Sequence, residues 1–526
     1  MFRRAWKPAA VVVPAALGYW YYNKPRNEYF DFPVRERGPD GKATMSTKTL
    51  PLLSTQEVDA RLRENAVEHT VTRPGIVWHH STASVAANDP IEDATANQVI
   101  RKDEGDGDLM FFAVMDGHGG GYTSQLLSRV LINAVALELA ALKSKTANSW
   151  TDTLKNTFWK TPQPTTDIHA APGEPTRVAT AIQRAFLALD AELIAAPVRV
   201  LASALDGDKS NLSIPDLSKH PLALPSMLPA MSGSCAILAL LDTARRNLYV
   251  ACTGDSRAVA GIWEPQADGK GHWRVEVLSE DQTGRNPAEA ARMRREHPSD
   301  EAADVIRNGR VLGGLEPTRA FGDARYKWSR GLQETLAQAF LSGSDRKIRP
   351  PPPTLKTPPY VTSRPIVQHR VLELPDQPAS GQERALRFIV LATDGLWDEL
   401  SSEDVVRLVG GHLNGLKGTV PKPELATLVP TLTGAAAVEG KTARRQRDSE
   451  GWAFVDSNPS AHLIRNAFGG ADTNALRRLL SIPAPHARRH RDDVSVTVVW
   501  WEAGNEQASP EIASVSLPRE QVKAKL

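Results

Sequence analysis

A mixed fold of strands and helices is what the sequence predicts, on two observations. From Ile76 to Trp501, short β-rich runs alternate with segments of helical period. The composition, 41% apolar and 24% charged over 526 residues, is that of a soluble globular protein. That length allows one large domain with insertions or two ordinary domains.

The strand candidates are Leu109–Met115, Cys235–Leu241, Leu248–Cys252, Phe388–Ala392 and Val494–Trp501. Helices are expected at Tyr122–Leu142, Pro287–Glu296 and Ser402–Val409. The last opens on Ser401 and Ser402, with Asp404 placed to complete a reciprocal cap with Ser401. The stretch 143–176, rich in Thr, Lys, Asn and Pro, reads as an insertion, as does 411–478, rich in Gly, Ala and Thr. Residues 28–75 are polar with scattered Pro and Gly and read as a tether to a domain spanning 76–503.

A net charge of +2 gives no global field toward nucleic acid or anionic lipid, and no stretch interleaves aromatics with dense Lys/Arg. Nucleic-acid binding is therefore set aside. The two cysteines, Cys235 and Cys252, each lie in an apolar run, which points to burial rather than a disulfide framework.

Both ends read as addresses. Arg3, Arg4 and Lys7 precede an apolar run from Pro8 to Tyr22 that ends in Tyr19, Trp20, Tyr21 and Tyr22, and the first acidic residue is Glu28. A basic, acid-free start is the pattern of mitochondrial targeting segments. The run is shorter than the roughly 20 residues that span a bilayer, but its aromatic cluster suits a membrane interface. Residues 1–27 thus read as a targeting segment with a short anchor. At the other end, Ala524, Lys525 and Leu526 form a small–basic–leucine ending similar to the S-K-L peroxisomal address. The polar stretch 504–526 reads as an exposed tail that a peroxisomal import receptor could bind, which predicts a second, peroxisomal pool.

The chemistry is carried by carboxylates where strands stop. Leu109–Met115 runs into Asp116-Gly117-His118-Gly119-Gly120, Leu248–Cys252 leads to Gly254-Asp255-Ser256-Arg257, and Phe388–Thr393 ends in Asp394-Gly395. Asp492 and Asp493 precede the last strand, and Glu92 and Asp93 stand upstream. Carboxylates at strand ends can converge at one sheet edge, where like charges resist ionising together. Hard divalent ions relieve that repulsion, and an oxygen-only donor set suits Mg²⁺ or Mn²⁺ over Zn²⁺. Two such ions, about 4 Å apart, can activate a water and hold a phosphoryl group for in-line attack. Any single Asp-Gly after a strand is more often an ordinary turn; the set is what weighs against that.

In order, Pro90–Asp93, Phe112–Gly120 (FAVMDGHGG), Ser232–Ala236 (SGSCA), Gly254–Arg257 (GDSR), Thr318–Asp323 (TRAFGD), Phe388–Asp398 (FIVLATDGLWD) and Arg491–Val496 (RDDVSV) resemble the type 2C family of metal-dependent protein phosphatases. Leu278–Asp281 through Pro298, Arg319–Trp328 and Thr357–Tyr360 are similar to its mitochondrial pyruvate dehydrogenase phosphatase branch. The resemblance implies an α+β fold, a four-layer sandwich of two antiparallel β-sheets flanked by α-helices. It also implies two Mg²⁺ or Mn²⁺ ions in a cleft at one end. Asp116 would bridge both; Asp394 and Asp492 would complete one site, and Glu92 with the Gly117 carbonyl the other. Asp93 would hold water beside the metals, and His118 would protonate the leaving seryl or threonyl oxygen. Asp255 and Asp398 are candidates for a third, weaker ion, against plain turn or capping roles. The implied substrate is a phosphoprotein such as the pyruvate dehydrogenase complex.

Asn88 departs from the family pattern: many members carry there an arginine that grips the substrate phosphate, though this branch lacks it too. The gripping residue is thus left open. Arg319 and Asp323 read as a structural pair, and Arg488–Arg491 as a solvated approach to the last motif. Three alternatives stand beside an active phosphatase: a pseudophosphatase used as a binding module, a membrane-tethered scaffold, and a hydrolase of small phosphorylated metabolites.

Overall fold

The computed structural model describes residues 28–37, 43–101, 107–143, 173–207, 213–266, 271–342, 349–372, 374, 385–433, 449–505 and 511–516. Strand Asp108–His118 shows why the strands read as unbroken apolar runs. Met110, Phe112 and Val114 point to one face and Phe111, Ala113 and Met115 to the other, and all six are buried. A strand covered on both faces has no polar side to show.

Two sheets account for this. One runs in the order Ile366–Val371, Asn247–Thr253, Gly233–Asp242, Asp108–His118, Ala94–Arg101, with Phe321–Gly322 added beside Gly233–Asp242. The other runs Thr431–Thr433, Gly271–Val277, Arg257–Pro265, Ala385–Ala392, Val494–Ala503, Ile76–Val85, Val67–Arg73, Glu511–Ser516. Pairing is antiparallel throughout except between Gly271–Val277 and Thr431–Thr433. Between the sheets lies a core of Trp78, Phe112, Ile237, Val250, Ala260, Leu391 and Val499 with their neighbours. Helices Tyr122–Lys143 and Glu174–Gly207 cover the outer face of the first sheet. Helices Thr55–Arg63, Ser402–Leu413, Pro459–Phe468 and Thr473–Ser481 cover the second. The architecture is the expected α+β sandwich of four layers.

Helix Pro287–Glu296 has the bounds its sequence predicts. Ser402–Leu413 runs four residues further than expected, and its cap is reciprocal: Ser401 Oγ accepts from Asp404 N at 2.9 Å, and Asp404 Oδ2 from Ser401 N at 3.2 Å.

Three parts of the domain reading are corrected. Residues 28–75 are not a tether among the residues described: Glu28–Arg37 and Ala43–Leu52 form a hairpin, followed by Thr55–Arg63 and Val67–Arg73. Phe32, Val34, Val58 and Leu62 are buried in the core of the second sheet's helical face. Few apolar residues anchor this segment, and they are set in a polar background, so composition alone does not reveal it. Part of the stretch 411–478 belongs to the core, because every residue of Pro459–Phe468 is buried. Its small residues serve close packing: a Cβ at Gly411 would lie 3.0 Å from the Phe454 ring. The tail is also not wholly free, since Glu511–Ser516 pairs with Val67–Arg73. The stretch 1–27 expected to be a targeting segment, nearly all of the insertion expected at 143–176 and the ending Ala524–Leu526 lie outside the described residues.

Candidate active site

The alternation along Asp108–His118 delivers the first acidic group. Asp116 follows Met110, Phe112 and Val114 on the face between the sheets, two residues beyond the last buried one. Asp255 sits in the turn between Asn247–Thr253 and Arg257–Pro265. That turn needs Gly254, whose φ is +105° and whose Cβ would lie 2.2 Å from Cys235 Sγ. Asp394 opens the helical turn Asp394–Trp397 at the end of Ala385–Ala392, and Trp397 Nε1 donates to Ala392 O at 2.9 Å.

Three strand ends therefore meet. Carboxylate oxygens of Asp116, Asp255 and Asp394 lie within 4.8 Å of one another. They line a cleft of about 820 Å³ together with His118, Asp323 and Arg488. Burial, then the charges of Asp394, Asp93, Asp255 and Asp492, holds the Asp116 carboxyl well above the usual carboxylate range. Asp93 is raised likewise by burial and by Asp493 and Asp492, against a 3.0 Å hydrogen bond from Thr393 Oγ1. Burial chiefly raises Glu92. Such a group resists ionising without a cation.

The other expected residues flank this group. Glu92 Oε1 accepts from Gly120 N at 2.8 Å, and its carbonyl accepts from Ser124 Oγ. Gly117 packs on that carbonyl, so a Cβ there would lie 2.0 Å from Glu92 O. Asp492 accepts from Asp493 N at 2.8 Å and forms an ion pair with Arg488. Asp398 donates its N–H to Asp394 O at 2.8 Å and lies outside the close triad. The tightest group thus contains Asp255, expected at most at a third, weaker site, but neither Glu92 nor Asp492.

Sequence reasoning missed two positions. Asp493 is buried and accepts from Ala87 N at 2.6 Å, Asn88 N at 2.9 Å, Asn88 Nδ2 at 2.9 Å and Glu92 N at 2.8 Å. One carboxylate thereby shapes the whole loop that carries Glu92 and Asp93, and Asn88 is committed to it. The signal for it is the second Asp of Arg491-Asp492-Asp493, a pair whose two members take different roles.

Asp323 is the other. It does not pair with Arg319, whose guanidinium is bound to Glu289 at 2.8 Å. Instead Asp323 Oδ2 meets His118 Nε2 at 2.7 Å, in a backbone with φ +50°. Gly233 makes room, since a Cβ there would lie 2.1 Å from that nitrogen. Burial alone would lower the His118 pKa, but the charge and hydrogen bond of Asp323 outweigh it and hold the imidazole above its ordinary value. The basic cluster is also divided: Arg491 is buried, donating to Leu479 O at 2.6 Å and Ala86 O at 3.0 Å, while Arg488 lines the cleft.

The protein phosphatase 2C family model matches residues 201–427. A protein phosphatase 2C homolog of Schizosaccharomyces pombe is 34% identical over 465 residues, covering 87% of this chain and 88% of that one. The chain belongs to the protein phosphatase 2C family. Within it, the phosphatase falls in the pyruvate dehydrogenase phosphatase-like branch. It is 32% identical to the mitochondrial pyruvate dehydrogenase (acetyl-transferring) phosphatase 1 of Saccharomyces cerevisiae, across 90% of this chain and 76% of that one. It is 30% identical to human phosphatase 2 of the same name, across 86% and 84%. The phosphatase is accordingly a metal-dependent protein serine/threonine phosphatase of a Mg²⁺/Mn²⁺-dependent family.

Proposed function

We propose that the phosphatase hydrolyses phosphoserine or phosphothreonine at the cleft of Asp116, Asp255 and Asp394, with two divalent ions held there. The observation that carries this reading is the meeting of three carboxylates from separate strand ends within 4.8 Å. The donor set fits the ions: it is all oxygen, it is crowded, and burial together with the neighbouring carboxylates raises the Asp116 carboxyl, a cost that Mg²⁺ or Mn²⁺ would relieve. Asp116, Asp394 and Asp492 would hold one ion; Asp116, Glu92 and the Gly117 carbonyl the other, with Asp255 and Asp398 at a weaker third position. Bound ions supply Lewis acidity, lowering the pKa of water and neutralising phosphoryl oxygens.

The chain's own residues do the rest. Asp493 keeps the Ala87–Glu92 loop in place, and so orients Glu92. Asp93, tied to Thr393, accepts hydrogen bonds from the attacking solvent. His118 gives a proton to the leaving seryl or threonyl oxygen, and Asp323 stabilises the charged imidazole that makes this gift. All these groups are present, so the reading as an inactive binding module has no support.

The names of the relatives favour the pyruvate dehydrogenase complex as substrate and the mitochondrion as compartment, in agreement with the basic, acid-free residues 1–27. Phosphate release from a phosphothreonine peptide and from phosphorylated pyruvate dehydrogenase tests both levels. Mn²⁺ or Mg²⁺ is titrated against chelator, with Asp116→Asn alongside. Metal-dependent turnover lost in the variant is expected; no turnover by folded, metal-saturated protein on either substrate would sink the reading.

A further inference from the structure

A cleft built of carboxylates must still hold a dianionic phosphoryl group, and ions alone leave some of its oxygens without donors. Asn88 does not supply one, because its amide is spent on Asp493 at 2.9 Å. Among the described residues, the arginines lining the cleft are Arg310, Arg325, Arg349 and Arg488. Arg310 is bound to Glu316 at 2.5 Å and to Gly314 O at 3.2 Å. Arg325 donates to Pro350 O at 2.8 Å and lies over the Tyr326 ring. Arg349 is exposed, next to Pro350.

Arg488 differs from these in what it faces. Its guanidinium pairs with Asp492 and lines the cleft with Asp116 and Asp394; burial opposes its charge, but the charges of Asp492, Asp394 and Asp116 outweigh that. It therefore stands at the acidic group itself, where the scissile phosphoryl must lie. Its side chain is 46% exposed, and a guanidinium has five N–H donors, of which one carboxylate can occupy two. Arg488 lines the cleft, so donors beyond this pair remain for a ligand there.

The backbone presents it firmly. Arg488 lies in the single turn Ala487–Arg489, with Ala487 fully buried before it. Arg491 is buried after it and donates its backbone N–H to Ala487 O at 3.0 Å. A planar fork held by its own base and by Asp492 is preorganised for bidentate contact with a phosphate.

We propose that Arg488 grips the phosphoryl group of the substrate, and afterwards the inorganic phosphate product. This rests on the phosphatase reading of the cleft. Asp492 serves as the arm that aims the guanidinium, so the ion pair persists while the outer N–H groups hold phosphate.

The test uses the full chain loaded with Mn²⁺, its inorganic phosphate affinity measured by calorimetry and as product inhibition. KM and kcat on a phosphothreonine peptide, and Mn²⁺ affinity, are measured in parallel for Arg488→Ala and Arg488→Lys. Arg488→Ala should weaken phosphate binding roughly ten- to hundredfold, the range of a charge-assisted hydrogen bond. KM should rise in step with it, and Arg488→Lys should recover part of the loss as a point charge without the fork. Unchanged phosphate affinity in both variants, with Mn²⁺ bound more tightly, would reduce Arg488 to a counter-ion for Asp492 and overturn the proposal. If Arg488→Ala does not fold, the lysine variant alone decides, since phosphate affinity equal to wild type there rules out bidentate grip. Wild type that neither binds phosphate nor turns over would instead remove the phosphatase reading, and the proposal with it.

Discussion

Replacing Asp394 with asparagine keeps the shape of the acidic triad and removes one of its charges. Two unit charges 4.8 Å apart repel by about 3.5 kcal/mol at an effective dielectric constant of about 20. That is an upper value for the relief, because the wild-type group can take up a proton instead. The sign with pH follows from the raised Asp116 carboxyl. A carboxyl raised in the folded state costs nothing below its unfolded value of 3.8, and its cost grows as pH climbs toward the folded value. In chelator, the wild-type protein should therefore lose stability between pH 4 and neutral, and Asp394→Asn should lose less. By neutral pH the variant should be the more stable, by roughly 1–3 kcal/mol in urea unfolding. Mn²⁺ reverses the order: at a hundredfold excess over Kd it adds about 2.7 kcal/mol to the wild type, little to the variant. Turnover should disappear in the variant under every condition. A variant less stable than wild type in chelator, and equally stabilised by Mn²⁺, would refute the reasoning that these carboxylates form a strained cation site.

Asp323→Asn should lower kcat on a phosphothreonine peptide by roughly ten- to hundredfold, because the charged His118 loses its support. p-Nitrophenyl phosphate, whose leaving group needs no proton, should be spared; an equal loss on both substrates would remove His118 from the proton step. Gly117→Ala would set a Cβ 2.0 Å from the Glu92 carbonyl, so Mn²⁺ affinity should fall and stability drop by about 1–3 kcal/mol, read by calorimetry and urea unfolding. Glu289→Gln tests the anchor of the Thr318–Asp323 segment. Burial would raise that carboxyl, but Arg319 and Arg292 hold it down at about 2, against 4.5 when free. A depressed carboxyl stabilises above its unfolded value, so the variant should cost about 3 kcal/mol at neutral pH. That deficit should shrink by roughly 1.4 kcal/mol on acidification to pH 3.5, and a deficit independent of pH would contradict it.

Local chemistry was legible without the structure wherever a short pattern carries its own cause. A strand buried on both faces must be apolar throughout, so Asp108–His118 and its partners were visible as runs, and Asp116 and Asp394 as the charges that stop them. Helix Pro287–Glu296 begins at Asn286 and Pro287, a cap and first residue that speak for themselves. The ordered motifs placed the chain in its family, with the expected layers.

Partnership across the chain was not legible. Asp323 binds a histidine 205 positions away, and Asp493 shapes a loop more than 400 positions earlier. Asp255 joins the close triad because the registers of two separate sheets bring some strand ends nearer than others. The hairpin and helix of residues 28–63 looked like tether since their few buried side chains gain meaning only against the helices Pro459–Phe468 and Thr473–Ser481. Periodicity along a chain records which face of an element is covered. Which residue covers it, and which charge lies opposite, is decided by non-local pairing that no window of sequence contains.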